Sequence, residues 1–501
     1  MAEEDPLAQL KIELFTENET KNESNRDQWS NKTEFLLSSL GYANGMSNVL
    51  RFPYLCYRNG GGAFLIPYLL VLCLCGIPLF FMESILGQFS GQGVLGVFKI
   101  CPLLKGCGYS IVVLNLITTV YYHIQIQIPL IYIWNCLQGA LLWEKCDNSW
   151  NTDGCIDIES NNHTLKESGT NNLLQKSAAD EYFHNKILEI SDDISEIGGF
   201  VRHLVIANII SWLIILLCVI KGVKSAGKAV YITATFPFVI IFVLFVRGIT
   251  LPGAINGIIY YIYPEWNRLW KFKTWVDACN QIFFTVGPGW GGLIVMNSFN
   301  NFGNNVKMDS IIIPLMCSFS SIFVGFVVFS VIGYMSYKTG LPISKVATDG
   351  PSLAFVTYPQ AISKLPFAQL WAVLFFLMLY LLAIDCMFVQ IEIIVQSILD
   401  EKPKWRKYKT FIIISTIFVL FLLSLPFLTH VGMYYVQLLE WYSSSASLLA
   451  ISITEVIIVG WIYGINRFLR DIKFMLKSNI SLLWIICWKY LVPVFLLVGN
   501  N

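Results

Sequence analysis

An all-α integral membrane fold is expected, with about eleven spans in two inverted five-helix halves whose first helices are broken, and three features of the sequence point to it. First, the 501 residues are 55% hydrophobic and only 13% charged, where soluble domains average about 25% charged. Second, the apolar residues fall in continuous runs long enough to cross a bilayer, without the alternation of a barrel strand. Third, two of these runs are interrupted by Gly, Asn and Pro at corresponding places five spans apart.

In chain order, residues 1–33 are rich in Glu, Asn and Lys, lack the apolar core of a signal peptide, and read as a disordered cytosolic tail. The apolar runs lie near 34–58, 63–87, 108–138, 203–220, 228–249, 276–301, 309–335, 368–399, 410–427, 431–464 and 483–499. Each must satisfy its own backbone hydrogen bonds in lipid, which selects helix. The first half is 34–249, including a hydrophilic loop at 139–202. The second is 250–464, and 465–501 holds a peripheral eleventh span.

Basic loops set the orientation. Lys221, Lys224 and Lys228 follow span four. Lys402, Lys404, Arg406, Lys407 and Lys409 follow span eight, and Arg467, Arg470, Lys473 and Lys477 follow span ten. All fall on the side of the N-terminal tail, which is placed in the cytosol. The 139–202 loop is then outside, where its sequon at Asn162 can be glycosylated, whereas those at Asn18, Asn22 and Asn31 would stay unmodified. Most of the thirteen cysteines sit in apolar runs as small buried hydrophobes. Cys146 and Cys155 bracket a polar stretch in the outer loop, where a disulfide is expected, two free thiols being the alternative.

The breaks carry the chemistry. Span one contains Gly41-Tyr42-Ala43-Asn44-Gly45-Met46-Ser47-Asn48, and span six contains Thr285-Val286-Gly287-Pro288-Gly289-Trp290-Gly291-Gly292. Gly weakens a helix, and Pro removes a donor and clashes with the preceding turn. Unwound carbonyls suit a hard cation, and the half-helix that follows offers free amides to a carboxylate. A small zwitterion with a cation fits both. The alternative, glycines that only allow close helix packing, explains paired breaks containing Asn and Pro poorly. A net charge of +1 gives no sign of a nucleic-acid partner. Catalytic Ser/His/Asp arrangements, phosphate loops and metal-ligand spacings are absent from the polar segments, so an enzyme is not expected.

The stretch from Asn48 through Arg51-Phe52-Pro53-Tyr54 to Gly60-Gly61-Gly62-Ala63-Phe64 resembles the signature of the neurotransmitter:sodium symporters, solute carrier family 6. Gly87-Gln88-Phe89, the Cys146/Cys155 loop and Ala347-Thr348-Asp349-Gly350-Pro351 extend the match. Trp290 to Ile294, Ser321 to Phe326 and Met387 to Glu392 resemble its glycine-carrying members. The resemblance implies the bacterial leucine transporter-like fold, with a twelfth helix expected beyond Asn501. It also implies sodium-coupled symport of a small amino acid, glycine foremost, across the plasma membrane. Proline or GABA is the alternative within the class, and a transport-impaired receptor or regulatory relative the alternative outside it. Nothing in the sequence speaks to oligomeric state.

The same resemblance implies residue roles. Gly45 stands where monoamine carriers hold an aspartate, so the substrate would bring its own carboxylate, bound by the amides near Met46 and Ser47 and by the Tyr122 hydroxyl. Tyr42, Thr285 and Gly287 would line the pocket. Trp290 would exclude bulky side chains, Phe284 and Tyr122 would form a lid, and Arg51 and Glu440 an outer gate. One sodium would use Ala43, Asn48 and Thr285. A second would use Gly41, Asn44, Leu382 and Asp385, a carboxylate in an apolar run that needs a cation or a proton. Glu392, two turns along, would support an extra sodium. Gln281, Thr285 and Ser321 would bind chloride. Three departures are expected to weaken ion dependence: Cys317 and Cys386 replace harder sodium ligands, and Phe81 is taken to replace a Tyr ligand of chloride.

Overall fold

The computed structural model describes residues 27–139, 141–156, 176–340, 342–343 and 353–499. Asn18, Asn22, Asn162 and the Ala347–Pro351 motif lie outside them. The described chain is helical apart from loops and a two-residue parallel ladder, Cys155–Ile156 with Lys176–Ser177, a small exception to the all-α expectation. Among the described residues, eight helices are long and apolar enough to cross a membrane. The other three expected spans are the two broken ones and the last, Leu482–Leu497, which is shorter.

Span one is two helices, α1 (Lys32–Ala43) and α2 (Ser47–Arg58). Asn31 caps α1 by accepting from the Glu34 amide at 2.9 Å. Asn44 leaves the helical region at φ −95°, ψ 54°, which ends it. Helix α3 runs Gly62–Ser90 with a π turn at Leu72–Gly76. Then come α4 (Gly106–Leu137) and α5 (Arg202–Val219). Next is α6 (Val223–Ile249), interrupted before Phe236 where Pro237 starts a new turn. A short helix the sequence reading did not separate, α7 (Ala254–Ile262), precedes span six.

Span six is also split, into α8 (Phe272–Val286) and α9 (Gly292–Asn297). Gly287, Gly289 and Gly291 between them all have positive φ, 74°, 79° and 76°. Side-chain-bearing residues avoid that region, so the alternating glycines are what let the chain unwind here. Two 34-residue helices follow, α10 (Val306–Thr339) and α11 (Ala368–Glu401). The remainder is α12 (Lys409–Ser424), α13 (Gly432–Trp441) and Leu448–Leu476.

The broken helices lie against each other, and the long helices surround them. α2 packs on α8 and α10, α1 on α10 and α11, and α4 along α11. Large apolar side chains such as Leu217, Ile232 and Phe411 point outward, as lipid-facing surfaces require. Residues before the expected boundary at 34 are part of the fold. Trp29 donates its indole N–H to the Met296 carbonyl at 3.0 Å, so the end of the polar tail is folded against α9.

Candidate functional site

The two breaks meet. Tyr42, in the last turn of α1, sends its hydroxyl to the Gly287 carbonyl at 3.4 Å. Its ring fills the space beside the second break. A Cβ on Gly287 would come within 3.0 Å of Tyr42 Cε1, and one on Gly292 within 2.6 Å of the Tyr42 oxygen. Ser47, opening α2, donates to the Phe284 carbonyl at 3.4 Å. Two residues not foreseen from sequence hold the second break from outside: Glu83 accepts from the Gly289 amide at 2.6 Å, and Asn115 donates to the Trp290 carbonyl at 2.8 Å.

The helix pairs are also tied at their far ends. Arg58 at the end of α2 forks onto Asp277 of α8 at 2.7 and 2.8 Å, and Asn59 adds a bond to the same carboxylate at 2.9 Å. At the opposite end, Trp29 binds the Met296 and Phe299 carbonyls at 3.0 and 3.3 Å.

Beside Gly45 there is no room for a side chain. A Cβ there would fall 2.8 Å from Cys386 Sγ and 3.7 Å from the Tyr122 hydroxyl. The Cys386 thiol donates to the Tyr42 carbonyl at 3.3 Å and lies 4.0 Å from the Gly41 and Leu382 carbonyls. Cys386 thus sits between Gly45 on one side and the carbonyls of Gly41, Tyr42 and Leu382 on the other.

Asp385 sits fully inside α11 beneath α1. One oxygen accepts from the Thr233 hydroxyl, while Oδ2 is buried without a partner. Gly41 lies against that oxygen; a Cβ would sit 2.6 Å from it. Asn48 donates from Nδ2 to the Ala43 carbonyl at 3.1 Å and to Asn44 Oδ1 at 3.0 Å, leaving Oδ1 buried and unpartnered. Ser320 also donates to Asn44 Oδ1, at 2.9 Å. Buried oxygens normally have partners, and an orphan costs about 1–3 kcal/mol. Two orphans beside the breaks, one on a carboxylate, are the donor chemistry a hard cation takes. Cys317 is buried, and its carbonyl accepts from Ser321 at 3.0 Å.

A polar group on α8 and α10 faces α3. Gln281 donates to Thr285 Oγ1 at 3.2 Å, its own Oε1 being buried without a partner. Tyr68 donates to Ser318 at 3.2 Å and lies within hydrogen-bonding reach of Thr285 and Ser321. Phe81 is elsewhere. It lies thirteen residues further along α3, about 20 Å at 1.5 Å per residue, with its ring on Trp484 and Trp488 at 4.7 and 5.7 Å. The phenol at this group is Tyr68, so the expected loss of a chloride ligand at Phe81 does not follow.

Glu392 also departs from expectation. Its Oε1 accepts from Gln396 at 2.7 Å and from the Lys409 ammonium at 2.8 Å, and Lys409 reaches on to Asp27 at 3.0 Å. A lysine supplies the positive charge that the sequence reading gave to an extra sodium. Burial pushes the Asp27 carboxyl up, but Lys409 and Lys224 outweigh it and hold the group below its usual range.

Of the two residues expected to form the outer gate, Arg51 stacks its guanidinium over Phe284 at 4.1 Å, while Glu440 accepts from Gln125 at 3.1 Å. Gate and lid residues therefore touch. Trp290 is 9% exposed. In the 139–202 loop Cys146 and Cys155 are bonded at 2.04 Å, as expected.

The profile of the sodium:neurotransmitter symporter family matches residues 26–499. The chain is 43% identical over 491 residues to "Sodium- and chloride-dependent glycine transporter 1" of Xenopus laevis, covering 95% of this chain and 78% of that protein. It is 41% identical to the same animal's "Sodium- and chloride-dependent glycine transporter 2", covering 94% of this chain and 63% of the longer relative. It is also 41% identical to "Sodium- and chloride-dependent GABA transporter 2" of Rattus norvegicus, covering 93% and 78%.

Proposed function

This chain belongs to the sodium:neurotransmitter symporter family, and on that premise we propose that it is a sodium-coupled symporter of a small amino acid, glycine foremost. The observation that carries this is the meeting of two unwound segments beside the orphaned oxygens of Asn48 and Asp385. Sodium, as a co-transported ion, neutralises Asp385 and accepts the free lone pairs. The substrate carboxylate takes the amides opening α2, with the Tyr122 hydroxyl beside them. Ala43, Thr285, Gly41, Asn44 and Leu382 complete the two sodium sites. Chloride is held by Gln281, Thr285 and Ser321, with Tyr68 in place of the partner sought at Phe81. The fold is read as two inverted five-helix halves in the plasma membrane, N-terminus in the cytosol, so that α1 with α9 and α2 with α8 open in alternation.

Glycine is favoured over GABA because the family resemblance puts Trp290 on the wall of the pocket, and because Cys386 already crowds Gly45. A filter of this kind excludes larger ligands by clash, while a smaller one forfeits only modest contact energy. A second reading, a relative that binds substrate without moving it, is favoured by the soft thiols of Cys317 and Cys386 at the ion sites.

Uptake of radiolabelled glycine into proteoliposomes decides between them, with sodium and chloride replaced one at a time. Saturable uptake driven by a sodium gradient supports symport, and binding without flux supports the second reading. In the same vesicles Trp290→Ser is expected to admit proline or GABA; continued exclusion of both would remove the size filter.

A further inference from the structure

A cavity of about 600 Å³ opens far from the breaks, between the loop that follows α4 and the start of α11. Its walls include Leu141, Glu144, Lys145, Asp147, Phe367 and Leu370. We propose that it binds the headgroup of a choline phospholipid from the outer leaflet.

The walls are built rather than loose. Trp143 is buried and donates to the Pro359 carbonyl at 2.9 Å, which anchors the loop next to Glu144. The Cys146–Cys155 disulfide fixes the loop between Lys145 and Asp147. Asn148 closes it with a bond to the Lys145 carbonyl at 3.0 Å. Gln369 joins the two walls through the Gly139 carbonyl at 2.5 Å.

Position names the source of the ligand. Helix α4 ends at Leu137 and α11 begins at Ala368, so the cavity lies at the level where both spans leave the bilayer. Trp134 and Leu137 are exposed on one side and Leu370 on the other, an apolar border that continues the lipid-facing surface. Charge names the headgroup. Glu144 and Asp147 suit a cation, and Lys145 between them suits a phosphate.

Phe367 supplies the third element. It has φ 59°, ψ 39°, a conformation bulky residues avoid, and the residue is 83% exposed. Such strain is retained where a side chain must be presented. Phe367 shares this cavity with the two carboxylates, and an aromatic face together with negative charge is the chemistry that recognises a quaternary ammonium. The proposal adds to the transport reading and rests only on its placement of the 139–202 loop outside.

Native mass spectrometry of the purified full chain in maltoside detergent tests it, with dioleoylphosphatidylcholine or dioleoylphosphatidylglycerol added. The choline lipid should be retained about fivefold better. The double variant Glu144→Lys, Asp147→Lys should bring the two lipids to parity. Phe367→Gly, which removes the ring and relieves the backbone, should lower retention while raising the melting temperature. Equal retention of both lipids by the unaltered protein would overturn the proposal, whatever the variants do. So would unchanged selectivity in the double variant, or binding of soluble phosphocholine with no lipid retained. Uptake of glycine, measured separately, reports on the transport reading alone.

Discussion

Gly41→Ala sets two effects of opposite sign against each other. Alanine in place of glycine near the end of α1 favours helix by up to about 1 kcal/mol. The added methyl, however, falls 2.6 Å from Asp385 Oδ2 and 3.0 Å from its Cγ. Ordinary contact needs about 3.5 Å, so the carboxylate must withdraw by about 0.5–1 Å. Thr233 holds the other oxygen, so the carboxylate swings about that bond and carries Oδ2 away from the proposed second sodium site. Losing one charged ligand costs about 1.5–3 kcal/mol, or roughly 10–100-fold in affinity. The expected result is a melting temperature that holds or rises, with a half-saturating sodium concentration for uptake 10–100-fold higher. Sodium titrations of glycine uptake, paired with thermal unfolding of the same preparation, measure both. An unchanged sodium curve in folded protein would refute the placement of a cation between Gly41 and Asp385.

Other perturbations separate the remaining assignments. Tyr68→Phe should weaken apparent chloride affinity about tenfold, from the loss of one hydrogen bond of about 1–1.5 kcal/mol. Phe81→Tyr should leave chloride dependence untouched and cost about 1–3 kcal/mol, read as a lower melting temperature, because it buries a hydroxyl against Trp484 and Trp488. Asp277→Asn removes the charge facing Arg58 and should lower stability by about 1–2 kcal/mol in thermal unfolding, rim exposure of the arginine limiting the loss. In the 139–202 loop, His184 is held above its ordinary value by its hydrogen bond to Asp180, and Asp180 below its own by the same partner. The histidine's contribution is present below about pH 6.5 and is lost as pH rises through the raised value; the aspartate's is lost as pH falls below about 4. Proteolysis at Lys186 should therefore be slowest between those limits and quicken towards pH 8.5, and Asp180→Asn should flatten the profile.

What the sequence made legible was whatever violated its own surroundings. Gly, Asn and Pro inside apolar runs marked both breaks to within a few residues, because lipid tolerates unwound backbone only where protein covers it. Asp385 stood out for the same reason, as a charge among leucines. What stayed hidden was direction. Tyr68 and Phe81 belong to one uninterrupted apolar helix, and nothing local says which of them faces α8 and α10; a π turn between them, at Leu72–Gly76, also shifts the face on which Phe81 emerges. Glu392 could be recognised as an acid in the membrane but not as the partner of Lys409, seventeen residues away on the next helix. The folded contacts of Asp27 to Lys32 were hidden by polar composition, since Trp29 is the one apolar residue among them. Asp277 gave no signal of its own, and Glu83, an acid inside an apolar run, met the same criterion as Asp385 but showed its role only with the Gly289 amide beside it.

The broken helices are fastened to one another at both extremities by unlike means, a forked ion pair at Arg58 and Asp277 and a neutral indole at Trp29. Dissolved electrolyte screens the first directly. The second is neutral in itself, but its neighbour Asp27 is paired with Lys224 and Lys409, so ionic strength reaches that extremity through the flanking charges while the indole bond persists.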